Sequence, residues 1–152
     1  MKKIFLISVL IMLTGTFSFG QDRGFGLGIR FGEPVGISAK YWLDEIVALD
    51  VNLGYTFLRS GSKFYLSADY LIHNENLIRA KERLPFYYGI GGRFVSHDMN
   101  DGSLGVKGVA GVAWLSRELP IDMFLEVAPV FNLFPSTELV FEAGLGFRYY
   151  FK

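Results

Sequence analysis

Hydrophobic and polar residues alternate along almost the whole chain beyond residue 24, in eight runs divided by turn signals. The first, residues 25–31, sets Phe25, Leu27, Ile29 and Phe31 against Gly26, Gly28 and Arg30. The second, 37–43, sets Ile37, Ala39, Tyr41 and Leu43 against Ser38, Lys40 and Trp42. The third, 47–57, is the most regular, with Val47, Leu49, Val51, Leu53, Tyr55 and Phe57 opposite Ala48, Asp50, Asn52, Gly54 and Thr56. In the fourth, 64–73, Phe64, Leu66, Ala68, Tyr70 and Ile72 oppose Tyr65, Ser67, Asp69 and Leu71. In the fifth, 84–95, Phe86, Tyr88, Ile90, Gly92 and Phe94 oppose Tyr87, Gly89, Gly91 and Arg93. The sixth, 105–115, sets Val106, Gly108, Ala110, Val112 and Trp114 against Lys107, Val109, Gly111 and Ala113. The seventh, 123–133, sets Leu125, Val127, Pro129 and Phe131 against Phe124, Glu126, Ala128 and Asn132. The eighth, 139–151, sets Leu139, Phe141, Ala143, Leu145, Phe147, Tyr149 and Phe151 against Glu142, Gly144, Gly146 and Arg148. A strand points successive side chains to opposite faces, so each run predicts a strand with one apolar face.

The connections are read at 32–36, 44–45, 59–63, 74–83, 98–103, 117–122 and 135–138. The longest, 74–83, has room for a helical turn or two. The regular spacing predicts an up-and-down meander. No helical periodicity, linker or second domain interrupts it. Pro129 brings no N–H to a sheet, so a bulge or local distortion is expected there.

The mid-strand charges are Arg30, Lys40, Asp50, Asp69, Arg93, Lys107, Glu126, Glu142 and Arg148. All lie on the polar face by parity. Five are basic and four acidic. This near-balance suits a closed interior filled with ion pairs, because an unpaired buried charge is very costly. An eight-stranded barrel is just wide enough for side chains to fill. The pattern therefore predicts an all-β, eight-stranded antiparallel up-and-down transmembrane β-barrel with a plugged polar interior and an apolar wall facing lipid. A soluble lipocalin-like carrier of an apolar ligand is the opposite case. Its interior would have to take about half of all strand residues, mostly Leu, Val, Phe and Tyr, and would be overfilled.

Composition narrows the setting. The chain opens Met1-Lys2-Lys3, continues with an apolar run and ends that segment Ser18-Phe19-Gly20. This predicts a signal peptide over 1–20, with cleavage near Gly20 and Gln21. The barrel then spans 21–152, and without Lys2 and Lys3 it carries 13 basic against 15 acidic side chains. That balance gives no electrostatic case for nucleic acid. There is no cysteine, so there is no disulfide, thiolate metal site or lipid-attachment cysteine. A hydrophobic share of 51% with fifteen Phe and eight Tyr is rich for a small exported domain, and expected for a membrane barrel. Tyr41, Tyr55, Phe57, Phe64, Tyr88, Trp114, Tyr149 and Phe151 are candidate girdle residues at the membrane interfaces.

Little in the sequence points to catalysis, a cofactor or a metal. Glu126 and Glu142 sit on neighbouring strands as an acid–base pair would, but counter-ions to Arg30, Arg93 or Arg148 are the simpler reading. His73 and His97 lie at strand ends without a matched ligand set. The glycine-rich stretches 24–28 and 89–92 lie within strands, with no helix to bind a phosphate. A lipid A-modifying barrel enzyme would need a His/Ser constellation at the lipid-facing rim, and none is evident.

The segments Gly32-Glu-Pro-Val-Gly-Ile-Ser-Ala-Lys-Tyr-Trp42, Asp69-Tyr-Leu71, Tyr87-Tyr-Gly-Ile-Gly-Gly-Arg93, Phe124-Leu-Glu-Val-Ala-Pro129 and Gly146-Phe-Arg-Tyr-Tyr-Phe151 resemble a family of bacterial outer-membrane barrels. With the eight strands and the terminal aromatic strand, the chain resembles the small barrels of the OmpX and OmpA type. The resemblance implies a multi-pass protein of the outer membrane, in contact with its lipid and inserted by the outer-membrane assembly machinery. That machinery reads a last strand ending in an aromatic residue; Leu145, Phe147, Tyr149 and Phe151 match this signal, and Lys152 departs from it by one residue. If both termini are periplasmic, the cell-surface loops are the short ones at 32–36, 59–63, 95–104 and 134–138, which weakens an adhesin reading. No surface partner is legible.

Overall fold

A computed structural model describes residues 24–56, 63–76, 83–98, 101–116, 118–134 and 136–151. The expected signal peptide, the turn at 59–62, the centre of the 74–83 connection and Lys152 lie outside the described residues. The eight strands are β1 (Phe25–Glu33), β2 (Val35–Trp42), β3 (Val47–Thr56), β4 (Lys63–Asn74), β5 (Phe86–Asp98), β6 (Asp101–Leu115), β7 (Ile121–Phe134) and β8 (Glu138–Phe151). Each pairs antiparallel with its sequence neighbour, and β1 pairs with β8 to close the barrel. Closure leaves no sheet edge, the condition for placing strands in hydrocarbon.

Strand alternation sets the two faces. Along β7 and β8 every second residue is buried over more than ten positions. The outward set is apolar and open: Ile90 is 69% exposed and Phe141 73%. The inward set includes Arg148 at 0% and Lys40 at 1%. Water-soluble proteins bury the first kind of residue and expose the second.

The strands run further than the turn signals suggest. The 32–36 segment is a turn only with respect to β1 and β2, whose pairing stops at Arg30↔Gly36. Phe31 to Glu33 continue pairing with β8, and Val35 with Tyr55 of β3. Gly32 takes φ 127° in this reversal, a conformation that L side chains rarely adopt. Likewise β5 and β6 run to Asp98 and from Asp101, through most of the expected 98–103 loop.

Of the bulge or local distortion expected at Pro129, there is no bulge, and the distortion is a gap in the β6–β7 ladder. The β7–β8 register is constant from Ile121↔Tyr149 to Asn132↔Glu138. Toward β6 the pairing resumes in the same register on both sides of Pro129, with Gly108 and Val109 unpaired opposite Pro129 and Ala128. Pro129 points outward, where its missing N–H removes a ladder bond without displacing the strand. The β6–β7 shift lies instead at Leu104 and Gly105.

Gly24 and Phe151, the 43–46 turn and the described ends of the β4–β5 and β6–β7 connections lie at one end of the barrel. Its lumen is filled there by Trp42, Ala48 and Tyr150, then by a layer containing Leu71, Tyr87, Val109, Ala113, Phe124 and Ala128. Ionic side chains interleave with these and, with Tyr65, Val95 and Val130, fill the rest.

Candidate functional site: the ionic lumen

All nine mid-strand charges project into the lumen. Eight are buried, and Arg93 is half-buried toward the end remote from the termini. The strands bring them together across the barrel, between residues far apart in sequence. Arg30 of β1 pairs with Glu126 of β7. Arg93 of β5 pairs with Glu142 of β8, and its second amino group donates to Asn132 Oδ1 at 2.9 Å. Lys107 Nζ of β6 lies 2.9 Å from Asp69 Oδ2 of β4. Arg148 Nη1 of β8 lies 2.5 Å from Asp50 Oδ2 of β3, and also donates to Ser38 Oγ at 3.2 Å. The planar guanidinium forks suit such links, since they engage several oxygens in a fixed geometry.

One member of this network lies outside the sequence-derived set. Asp122, read from sequence as part of the 117–122 turn, is fully buried at the start of β7, and its Oδ1 is 3.0 Å from Arg148 Nε. Tyr150 donates its hydroxyl to the other oxygen. Asp122 shares parity with Phe124 and Glu126, so continuing the alternation one step back through the turn signal at Pro120 finds it. With Asp122, the described residues place five carboxylates (Asp50, Asp69, Asp122, Glu126, Glu142) beside the five cations in the lumen. The filling is electrically neutral.

Tyrosines complete the network, and charge parity alone does not reveal them. Tyr65 donates to Glu142 Oε2 at 2.9 Å, and Tyr87 donates to Glu126 Oε2 at 2.9 Å. Each glutamate thus holds a cation with one oxygen and a phenol with the other. Arg30 has room for its guanidinium because residue 144 is glycine: a Cβ there would lie 2.6 Å from Arg30 Cζ.

Lys40 behaves differently from the other cations. It is the cross-strand partner of Asp50, yet Asp50 is engaged by Arg148. Lys40 Nζ instead lies 2.7 Å from His73 Nε2, and 5.1 and 4.9 Å from the ring centres of Trp42 and Tyr87. His73 Nδ1 lies 3.3 Å from the Ile46 carbonyl in the β2–β3 turn. The ammonium faces aromatic rings, an arrangement that stabilises a cation away from water.

This arrangement holds charge in place. Glu126 and Glu142 each carry an arginine and a tyrosine, as counter-ions rather than as a free acid and base. His73 faces the lumen. Among the described residues no group of His, Asp and Glu is placed to hold a metal ion. On the outside of β8, Leu145, Phe147, Tyr149 and Phe151 form one continuous apolar row, with Phe151 stacked against Phe25 across the β1–β8 closure at 6.3 Å.

No protein-family model and no curated protein sequence matches the chain. Among solved structures, the chain is similar to the N-terminal β-barrel domain of Pseudomonas aeruginosa OprF. The TM-score is 0.61 at 16% identity, over 82% of this chain and 93% of that one. At that identity the likeness concerns the fold alone, a closed antiparallel β-barrel.

Proposed function

We propose that the chain is a non-enzymatic integral outer-membrane barrel with a structural or surface-interaction role, and that its lumen is closed to solute flow. The observation that carries this reading is the inverted polarity of the wall. Large apolar residues cover the outside on all eight strands, while the mid-strand charges are turned inward in neutralised groups. Water would oppose that arrangement, and lipid requires it. The similarity in fold to an outer-membrane barrel domain supports the same location. Arginine, lysine and tyrosine side chains span the lumen, which favours a plug over a porin channel.

In this reading residues 1–20 direct export and are removed near Gly20 and Gln21. The row ending in Phe151 then presents the last strand to the outer-membrane assembly machinery. A lipid A-modifying activity has less support: His73 is enclosed in the lumen, and the side chain of His97 lies outside the described residues.

Cell-envelope fractionation with gel migration before and after boiling tests the membrane reading. Recovery in the outer-membrane fraction and a heat-dependent shift are expected. A detergent-free, soluble monomer that sequesters an apolar small molecule would overturn it. Planar-bilayer recording tests closure, and porin-sized conductance steps would exclude a plugged lumen.

A further inference from the structure

The lipid-facing wall is not uniform. Across β4, β5, β6 and β7 it carries a hollow of about 450 Å³ at Tyr70, Tyr88, Ile90, Gly108, Ala110 and Pro129. Its floor is β6, where Gly108 and Ala110 present almost no side chain. Its walls are Tyr70, Tyr88 and Ile90, all outward and exposed. Its far margin is Pro129, where the β6–β7 ladder is interrupted opposite Gly108. The backbone imposes this relief as well as the side chains: with no N–H at Pro129, the Gly108 carbonyl loses its ladder donor.

Resting on the membrane reading above, we propose that this hollow is a binding site for one hydrocarbon chain of a membrane lipid, held at a fixed position on the barrel wall. Three observations select that occupant. Gly108 lies midway along β6, seven residues from either end, so the hollow sits at mid-wall depth, where a bilayer offers hydrocarbon and no headgroups. Its exposed lining is almost wholly apolar, apart from the Tyr70 and Tyr88 hydroxyls and the freed Gly108 carbonyl, so it suits a hydrocarbon better than a polar group. Nine residues line it, whereas a stable protein interface engages about 20–30 residues a side. A second barrel would therefore bury far more than this hollow, while a single chain matches its size.

The test is electron spin resonance of the full-length protein in phosphatidylcholine vesicles containing a lipid spin-labelled in mid-chain. Gly108→Leu and Ala110→Phe fill the hollow. A Cβ at position 108 meets only Pro129 Cγ at 3.7 Å, an ordinary contact, so the barrel accommodates it. The motionally restricted lipid signal is expected to fall in both variants and to persist in Leu49→Phe, which enlarges the wall on β3. An unchanged signal in both filled variants would overturn the proposal. So would disulfide-linked dimers of Ala110→Cys, whose thiol is unique because the chain has no cysteine, since they would assign the hollow to a second copy. Failure of the wild-type chain to float with vesicles would instead strike at the membrane reading itself.

Discussion

At the scale of single residues, the lumen separates two kinds of buried cation. Arg148 holds both Asp50 and Asp122, so removing it leaves two buried carboxylates without their ion-pair partner. Arg148→Met is expected to destabilise the barrel by about 3–5 kcal/mol, the scale of breaking a buried pair. Lys40 hydrogen-bonds the His73 imidazole and lies over two rings. Lys40→Met keeps the volume and removes that one hydrogen bond, at a cost of about 1–2 kcal/mol. Urea unfolding midpoints of the two variants in the same vesicles check the order, and equal losses would contradict this account of Lys40. Asp122→Ala is expected to cost less than Arg148→Met, since Arg148 keeps Asp50, and Tyr150→Phe to cost about 1.5–3 kcal/mol, a charge-assisted hydrogen bond to a carboxylate that keeps its arginine. Parity makes nine of the ten lumen charges legible in sequence. It leaves the pairing open, because Lys40 and Asp50 are cross-strand neighbours yet select different partners. Reach and competition across a lumen decide that choice, and both depend on how the barrel closes.

At the scale of the strand, alternation carries the information and turn residues mislead at the ends. Gly32, Asp122 and Asp101 carry turn chemistry, yet all three lie in strands: β8, outside the hairpins of the first two, pairs with them at Gly144 and Arg148, and Asp101 pairs with Asp98 across its own hairpin. Pro129 shows the converse: it costs a ladder bond to β6 without shifting register, since the β8 side of the strand still pairs throughout. Pro129→Val restores a donor for the Gly108 carbonyl and is expected to raise stability by about 0.5–1.5 kcal/mol, the net value of one hydrogen bond. An unchanged unfolding midpoint would show that this carbonyl is already satisfied. Leu53 sits outward in the interior of β3, between Leu66 of β4 and Ile37 of β2. Leu53→Arg should cost about 2–4 kcal/mol if that position is mid-membrane. On a water-facing wall the same change would leave the unfolding midpoint in place, so this one variant tests the face assignment directly.

At the scale of the molecule, the barrel has exchanged the inside and outside of a soluble protein. Its lumen holds five cations and five carboxylates among the described residues, and its exterior is a continuous apolar surface. Such a surface far exceeds the few hundred Å² of exposed apolar patch that soluble monomers tolerate. The purified mature chain is therefore expected to aggregate in detergent-free buffer and to gain strand circular dichroism on transfer to micelles or vesicles. A monodisperse species in sedimentation without detergent would count against lipid as its solvent. The neutral lumen makes a second demand: stability should depend weakly on ionic strength, since enclosed pairs are screened far less than exposed ones. Unfolding midpoints at low and high salt check it.

Alternation alone determined the strand number, the antiparallel meander and which face of each strand is oily, because a period of two is a local property of an extended backbone. The tertiary structure decided what no local rule contains. It assigned Arg30 to Glu126, Arg93 to Glu142 and Arg148 to both Asp50 and Asp122, brought Asp122 out of an apparent turn, and shaped the hollow beside Pro129. Those features arise between strands distant in the chain, and they exist only once β1 has met β8 and the sheet has closed on itself.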